Sequence, residues 1–158
     1  YAIDVNPARL ELAKKLGADA TFVAGAADLA AEIRRLTRGD GADVLLEMSG
    51  NGTAIDLGLQ LLRNGGTAAL LGIPSNPVTL DLAERIIFKG LTLLGINGRR
   101  MFETWYQAEA LVKSGRVDPR AVITHVLPYT EFDRAFELME KGEAVKIVLD
   151  FKGDIAKA

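Results

Sequence analysis

Cysteine is absent from this 158-residue chain, and histidine occurs once. Without cysteine, disulfide bonds and thiolate metal sites are excluded, and with one histidine a zinc site built from these residues is not expected. No apolar run approaches the ~18 residues of a membrane-spanning helix, and no signal peptide is visible. The net charge of −2 offers no basic surface for nucleic acid or anionic lipid. We therefore expect a cytoplasmic protein without a nucleic-acid or membrane partner.

The pattern of apolar residues predicts an α/β fold. With 49% apolar and 25% charged residues, the chain can form one domain with a sizeable core. Short strand-like runs alternate with helical stripes, which is typical of βαβ units and a parallel sheet. The run at 44–48 is apolar apart from Glu47, so we expect it to be covered on both faces. The strand-like runs are residues 1–4, 21–23, 44–48, 67–71, 91–96, 123–127 and 146–151.

Six helices are indicated between these runs. Asn6 is a good N-cap and Pro7 suits the first helical position, so the first helix begins there and ends near Gly17. Thr130 and Asp133 have the spacing of a capping box, which predicts the start of the last helix. The other four follow from apolar residues at helical spacing. They are centred on Leu29, Ile33 and Leu36; on Ile55, Leu59 and Leu62; on residues 82–88; and on Met101, Trp105, Ala108 and Val112.

Asp4 is the first candidate for ligand binding. In dinucleotide-binding α/β units, an acidic residue at the end of the second strand holds the adenosine ribose hydroxyls and favours NAD over NADP. Arg9 on the next helix can reach the adenine or the ribose, or can pair with a neighbouring carboxylate. The glycine-rich turn expected about 20 residues earlier is not in the sequence. This pattern predicts a Rossmann-like, doubly wound parallel sheet that lacks its first strand. A solvated Asp4 and a domain that binds S-adenosylmethionine are the alternatives.

Glycine follows three of the strand-like runs, in Ser49-Gly50, Leu71-Gly72-Ile73 and Ile96-Asn97-Gly98. Ligands of open α/β sheets bind outside the carboxyl ends of the strands, and glycine lets a flat ring or sugar approach the backbone. Three such strand ends favour a cofactor groove over ordinary turns. We expect Glu47 to make a polar contact near the end of the sheet and His125 to be a structural or surface residue.

Seven short segments carry a resemblance to a known family: residues 4–6, 9–13, 46–50, 70–74, 87–90, 95–106 and 123–125. Through them the chain resembles, over residues 1–151, the nucleotide-binding half of the zinc-dependent medium-chain alcohol dehydrogenases. Segment 95–106 is the most specific, and it narrows the resemblance to the branch that oxidises L-threonine.

The resemblance implies NAD as the cofactor and gives roles to seven residues. Asp4 would bind the adenosine ribose, with Arg9 beside it. The family's zinc ligands, proton relay and glycine-rich turn would precede this segment. The resemblance therefore implies no catalytic and no metal-binding residue in the chain, which alone would be inactive. Backbone groups that would meet the nicotinamide end belong to Leu71, Gly72, Ile73, Ile96 and Asn97.

The resemblance also implies the reaction and the assembly of the whole enzyme. Zinc would polarise the hydroxyl of L-threonine, and hydride transfer to NAD would give 2-amino-3-ketobutyrate and NADH. Residues 1–117 would form a partial NAD-binding domain, and residues 118–158 would return toward the catalytic domain. The strand at 91–96 would pair with its copy in a dimer or tetramer. A non-catalytic nucleotide-binding module and another alcohol or polyol dehydrogenase of the family are alternatives.

The missing first strand predicts a gap in the sheet. In the strand order 3-2-1-4-5-6, strand 1 lies between strands 2 and 4. Without it, the first two strands of this chain are expected to separate from the next three, and two rows of backbone groups lose their partners. We therefore expect the isolated chain to have low stability.

Overall fold

The structure, a computed structural model, describes residues 1–153. It confirms the α/β fold: within these residues all strand pairs are parallel, and the strands form three separate sheets. The first sheet contains β1 (Ala2–Asp4) and β2 (Thr21–Val23). The second contains β3 (Ala42–Glu47), β4 (Leu62–Leu70) and β5 (Thr92–Gly95), in that order. The third contains β6 (Ile123–Pro128) and β7 (Lys146–Asp150).

Five α-helices lie between the strands. They are α1 (Pro7–Lys15), α2 (Leu29–Leu36), α3 (Gly52–Leu61), α4 (Glu103–Lys113) and α5 (Phe132–Glu140). The helix predicted at 82–88 is a π-helical turn, Ala83–Ile87, and two 3₁₀ turns cover Pro119–Val122 and Tyr129–Glu131. No helix of residues 1–153 is long and apolar enough to cross a membrane.

The chain forms two compact units, which are described separately. The terminal unit contains Tyr1–Val23 and the described residues from Arg100 onward, and the central unit contains Ala24–Arg99. Consequently β1 and β2 form a sheet of their own, apart from β3, β4 and β5. The predicted separation of the first two strands from the next three is confirmed.

The start of α1 organises the terminal unit. Asn6 caps the helix as predicted, because its Oδ1 accepts a hydrogen bond from the Ala8 N–H at 2.9 Å and Pro7 occupies the first turn. The Asn6 Nδ2 also donates to the Gly142 carbonyl at 3.1 Å, which ties the loop after α5 to the start of α1. Gly17, at φ +104°, follows the end of the helix.

The capping box predicted for the last helix is wrong. The helix α5 begins at Phe132, directly after a 3₁₀ turn, and no side chain caps its first turn. The 3₁₀ turn places Glu131 at the capping position, and the Glu131 carboxylate pairs with Arg134 at 2.9 Å. The spacing of Thr130 and Asp133 therefore does not describe the observed helix start.

The core of the central unit lies between α3 and the sheet. Its buried residues are Ile55 and Leu59 on α3 and Leu62 and Ala68 on β4, and Leu45 packs against them. The strands are in register at their carboxyl ends, where Glu47 pairs with Leu70 and Leu70 pairs with Gly95. The helix predicted through Leu62 ends one residue earlier, and β4 begins irregularly, with its register shifted between Ala42 and Val44 of β3.

The prediction that β3 is covered on both faces is wrong. Leu45 packs on the core, whereas Val44 and Leu46 are each more than half exposed. The strand β3 is an edge strand of its sheet, and its side chains alternate between a packed and an exposed face. The continuous apolar run therefore reflects a face that the described residues leave uncovered.

Candidate functional site

The Asp4 carboxylate lies at the carboxyl end of β1 in the terminal unit. Its Oδ1 accepts a hydrogen bond from the Asn6 backbone N–H at 2.8 Å. Its Oδ2 lies 3.8 Å from the Arg9 Nη1, and the side chains of Arg9 and Asp4 are 47% and 32% exposed. The Asp4 side chain is thus partly exposed and only loosely paired, so it can accept hydrogen bonds from hydroxyl groups of a ligand. The structure thus brings Asp4 and Arg9 together.

The other predicted site residues belong to the central unit and lie just beyond the ends of β4 and β5. The Leu71 and Gly72 N–H groups both donate to the Glu47 carbonyl, at 2.9 and 3.1 Å. The Ile96 N–H donates to the Leu70 carbonyl at 2.9 Å. These bonds continue the parallel ladders past the strand ends. They hold the backbone of the two segments side by side at one edge of the sheet.

Glu47 is the site residue whose role the sequence did not reveal in full. Its side chain is buried, with the residue only 4% exposed. Its Oε1 accepts from the Ser49 N–H at 2.9 Å and the Ser49 hydroxyl at 2.5 Å, and both carboxylate oxygens accept from the Gly50 N–H at 3.1–3.2 Å. The predicted polar contact is confirmed. Its sequence signal is the single acidic residue in the apolar run 44–48, shortly before a turn with serine and glycine.

The glycines at the strand ends have two different uses. A Cβ on Gly72 would lie 2.1 Å from the Gly50 N, and one on Gly50, at φ +66°, would lie 2.6 Å from the Ile73 O. Gly50 and Gly72 therefore allow backbone segments to contact each other closely. At Gly95 and Gly98 an added Cβ would meet no described atom within 4 Å. At the end of β5, glycine therefore leaves open space beside the backbone.

An open cleft of about 800 Å³ adjoins the ends of β3 and β4. Its walls are residues 49–53, at the start of α3, and residues 73–79, after β4, together with Asp56. Arg85 holds Asp56 through two hydrogen bonds of 2.7 and 3.1 Å. These bonds lower the pKa of Asp56, although partial burial opposes the change. A cleft of this size lies in the range of small-molecule sites.

The described residues do not fit a metal ion. Across residues 1–153, no three His, Cys, Asp or Glu side chains are placed to bind one. His125 is on β6, with its Nδ1 3.0 Å from the Thr124 hydroxyl oxygen. We therefore derive no catalytic step through zinc.

The parallel sheets, the acidic residue at the end of β1 and the aligned strand ends define a Rossmann-like α/β protein. Residues 1–114 match the family model described as zinc-binding dehydrogenase, and the chain belongs to this family.

Several relatives of the chain carry a common name. A Bacillus velezensis protein called L-threonine 3-dehydrogenase is 50% identical over 148 residues, which cover 94% of this chain and 43% of that protein. A Bacillus subtilis protein of the same name is 46% identical, with the same coverage of both chains. The chain thus spans less than half the length of these relatives.

Solved structures of alcohol dehydrogenases have the same fold. One from Thermus sp. ATN1 matches with a TM-score of 0.83 and 32% identity, over 95% of this chain and 43% of that one. One from Thermotoga maritima matches with a TM-score of 0.81 and 33% identity, over 93% of this chain and 41% of that one.

Proposed function

We propose that this chain is the NAD-binding portion of a zinc-dependent L-threonine 3-dehydrogenase, which converts L-threonine and NAD to 2-amino-3-ketobutyrate and NADH. The observation that carries the proposal is the 46–50% identity to proteins of that name along 94% of the chain. The identity to the alcohol dehydrogenases of known structure is lower, at 32–33%. Another alcohol or polyol as substrate is therefore the second candidate.

In this proposal Asp4 accepts hydrogen bonds from the adenosine ribose hydroxyls, and Arg9 lies beside the ribose. The partial exposure of the Asp4 side chain supports this role. The negative charge of Asp4 disfavours the additional phosphate of NADP. The nicotinamide end contacts backbone groups of Leu71, Gly72, Ile73, Ile96 and Asn97.

NAD, when bound, supplies the acceptor for the hydride that leaves the substrate. This chain's contribution is to bind and orient the cofactor, and the exposure of Ile73 and Ile96 supports that role. In this proposal the zinc ligands and the proton relay belong to the part of the whole enzyme that precedes this segment.

We also propose that residues 1–117 form the NAD-binding part and residues 118–158 return toward a catalytic domain, in a cytoplasmic protein. The last five residues of the second range lie outside the described residues. The strand β5 is an outer strand with all four residues exposed, which supports pairing with its copy in a dimer or tetramer.

Leu94→Lys would place a charge on this edge of the sheet. It is expected to convert dimers to monomers in sedimentation experiments, and unchanged assembly would contradict the proposed interface.

Cofactor binding is tested by titrating the chain with NADH and following the nicotinamide fluorescence. Asp4→Ala is expected to weaken NADH binding roughly 10- to 100-fold, because hydrogen bonds to a charged group contribute about 1.5–3 kcal/mol. The same variant should lose preference for NADH over NADPH. Asp19→Ala, at an exposed aspartate between α1 and β2, is the control and should bind normally. A folded wild-type chain without a saturable signal would refute the cofactor assignment.

The substrate is tested in a chimera in which this chain replaces the matching residues of the Bacillus velezensis relative. L-threonine should then reduce NAD, and simple alcohols and polyols should do so far more slowly. A folded chimera that prefers a polyol would support the second candidate instead.

A further inference from the structure

Glu47 is a buried carboxylate that makes no ion pair with the lysines and arginines of the described residues. Burying a charge without compensation is costly, so its hydrogen bonds must replace the lost water. The donors that do so are the N–H and hydroxyl of Ser49 and the N–H of Gly50. The carboxylate therefore holds the turn between β3 and α3 in one conformation.

The effect of Glu47 extends to the start of α3. The Ser49 hydroxyl donates to Glu47 and accepts from the Asn51 N–H at 3.1 Å. The Asn51 side chain in turn accepts from the Thr53 and Ala54 N–H groups, at 3.0 and 3.1 Å, and so caps the helix. One carboxylate thus organises the wall of the 800 Å³ cleft that residues 49–53 form.

The same residue also sets the end of β4. The Glu47 carbonyl accepts from the Leu71 and Gly72 N–H groups. The Glu47 side chain also lies close to Gly72. A Cβ on Gly72 would lie 2.5 Å from the Glu47 Oε2 and 2.8 Å from the Gly50 Cα. The end of β4 therefore packs against the Glu47 carboxylate and the turn that this carboxylate holds.

We propose that Glu47 is a positioning residue for the nicotinamide end of the cofactor. It fixes the backbone of Gly50, Leu71 and Gly72, and these peptide groups in turn orient the nicotinamide. Glu47 itself is covered by the turn and does not touch the ligand. This inference rests on the proposed function, because it assumes that NAD binds at these strand ends.

Glutamine is the informative substitution because it keeps the shape of glutamate. The Gly50 N–H lies 3.1–3.2 Å from both carboxylate oxygens, so an amide in either orientation would place its NH₂ group against that N–H. Glu47→Gln puts an NH₂ group, which is a donor, in place of one oxygen. The repulsion should displace the Gly50 peptide without opening a cavity.

The experiment compares the affinities of two nucleotides, NADH and ADP-ribose, which lacks the nicotinamide. Glu47→Gln is expected to weaken NADH binding about tenfold, because the displaced strand ends no longer fit the nicotinamide, and ADP-ribose binding less than about twofold. The matched control is Asp43→Asn on the same strand. Asp43 is exposed and pairs with Arg63 outside this network, so its variant should bind both nucleotides normally.

A second measurement, amide hydrogen exchange, tests the positions of the strand ends without any nucleotide. Glu47→Gln should speed exchange at the Gly50 and Gly72 amides, and Asp43→Asn should not. If Glu47→Gln fails to fold, Ser49→Ala removes one of the same hydrogen bonds and should give a smaller effect in the same direction.

The outcomes separate the inference from the proposed function. Equal weakening of NADH and ADP-ribose binding by Glu47→Gln would show a general structural role and overturn the inference. Unchanged exchange at Gly50 and Gly72 would overturn it as well. A folded wild-type chain that binds neither nucleotide would refute the proposed function, and with it the nicotinamide role. The exchange data would then still decide whether Glu47 holds the two strand ends.

Discussion

At the scale of single residues, Gly72 shows how the absence of a side chain sets the geometry of the strand ends. A Cβ there would lie 2.1 Å from a backbone nitrogen, an approach that a flexible side chain cannot relieve. Gly72→Ala is therefore expected to destabilise the chain by about 3 kcal/mol, at the upper end of overpacking effects. Urea unfolding monitored by far-UV circular dichroism measures this change.

Gly95→Ala is the matched control for that prediction. An added Cβ meets no described atom within 4 Å, and the Gly95 backbone is not in the positive-φ region. Alanine there should leave stability within about 0.5 kcal/mol or raise it slightly, because it restricts the unfolded chain. Equal losses of stability in both variants would mean that Gly72 is not in close contact with the Gly50 backbone.

The residues of the candidate site were predictable to different degrees. The sequence indicates Asp4 because a carboxylate ends a strand and a capped helix follows. It indicates a polar contact for Glu47 but not its partners, since these depend on how the turn closes on β4. It also places Gly50 and Gly72 at a cofactor groove but does not reveal that both glycines allow close contact between backbone segments. Close approach between segments distant in sequence is not encoded in local spacing.

At the scale of elements, the pair Asp56–Arg85 links α3 to the π-helical turn Ala83–Ile87. Hydrogen bonding from Arg85 lowers the pKa of Asp56 below its usual 3.8. A carboxyl group whose pKa is lowered by folding contributes stability above its unfolded pKa, and the contribution disappears as pH falls through the folded pKa. The pair should therefore stabilise the chain at neutral pH and not in strong acid.

Asp56→Asn tests this pH dependence. The Asp56 side chain is 38% exposed, so solvent screens the pair and we expect a loss of only about 0.5–1 kcal/mol at pH 7. The difference from wild type should shrink as pH falls below 3.8, when Asp56 in the unfolded chain is protonated. Asp43→Asn, in a more exposed pair, should change stability less. A difference that is independent of pH would contradict an ionic origin.

Elements with strong local signals were predicted well. Asn6 and Pro7 define the start of α1 because capping depends on neighbouring residues only. The start of α5 was missed because a 3₁₀ turn precedes it, and the spacing of Thr130 and Asp133 cannot distinguish that turn from a cap. The exposed face of β3 was missed because an apolar residue indicates that a position can be buried. It does not indicate that another element covers that position.

At the scale of the whole molecule, the division into three sheets determines stability. The strands β1 and β2 have three residues each and pair only with each other among the described strands. A two-stranded sheet of this kind is marginally stable in water. In the three-stranded sheet, β3 is an edge strand whose Val44 and Leu46 are largely exposed. Among the described residues, no further strand pairs with the backbone at these edges, and the apolar side chains of Val44 and Leu46 are not covered.

The isolated 158-residue chain is therefore expected to unfold with a free energy below about 5 kcal/mol, the lower end for ordinary domains. Urea denaturation followed by far-UV circular dichroism measures this value. The single tryptophan, Trp105 in the terminal unit, gives a second signal for the same transition. The chimera with the Bacillus velezensis relative is the comparison, and the same residues should resist urea better there because the exposed edges gain partners.

A cooperative transition of the isolated chain with ordinary stability would show that the open edges of β1 and β3 lower the stability only slightly. The sheet separation would then be no obstacle to independent folding.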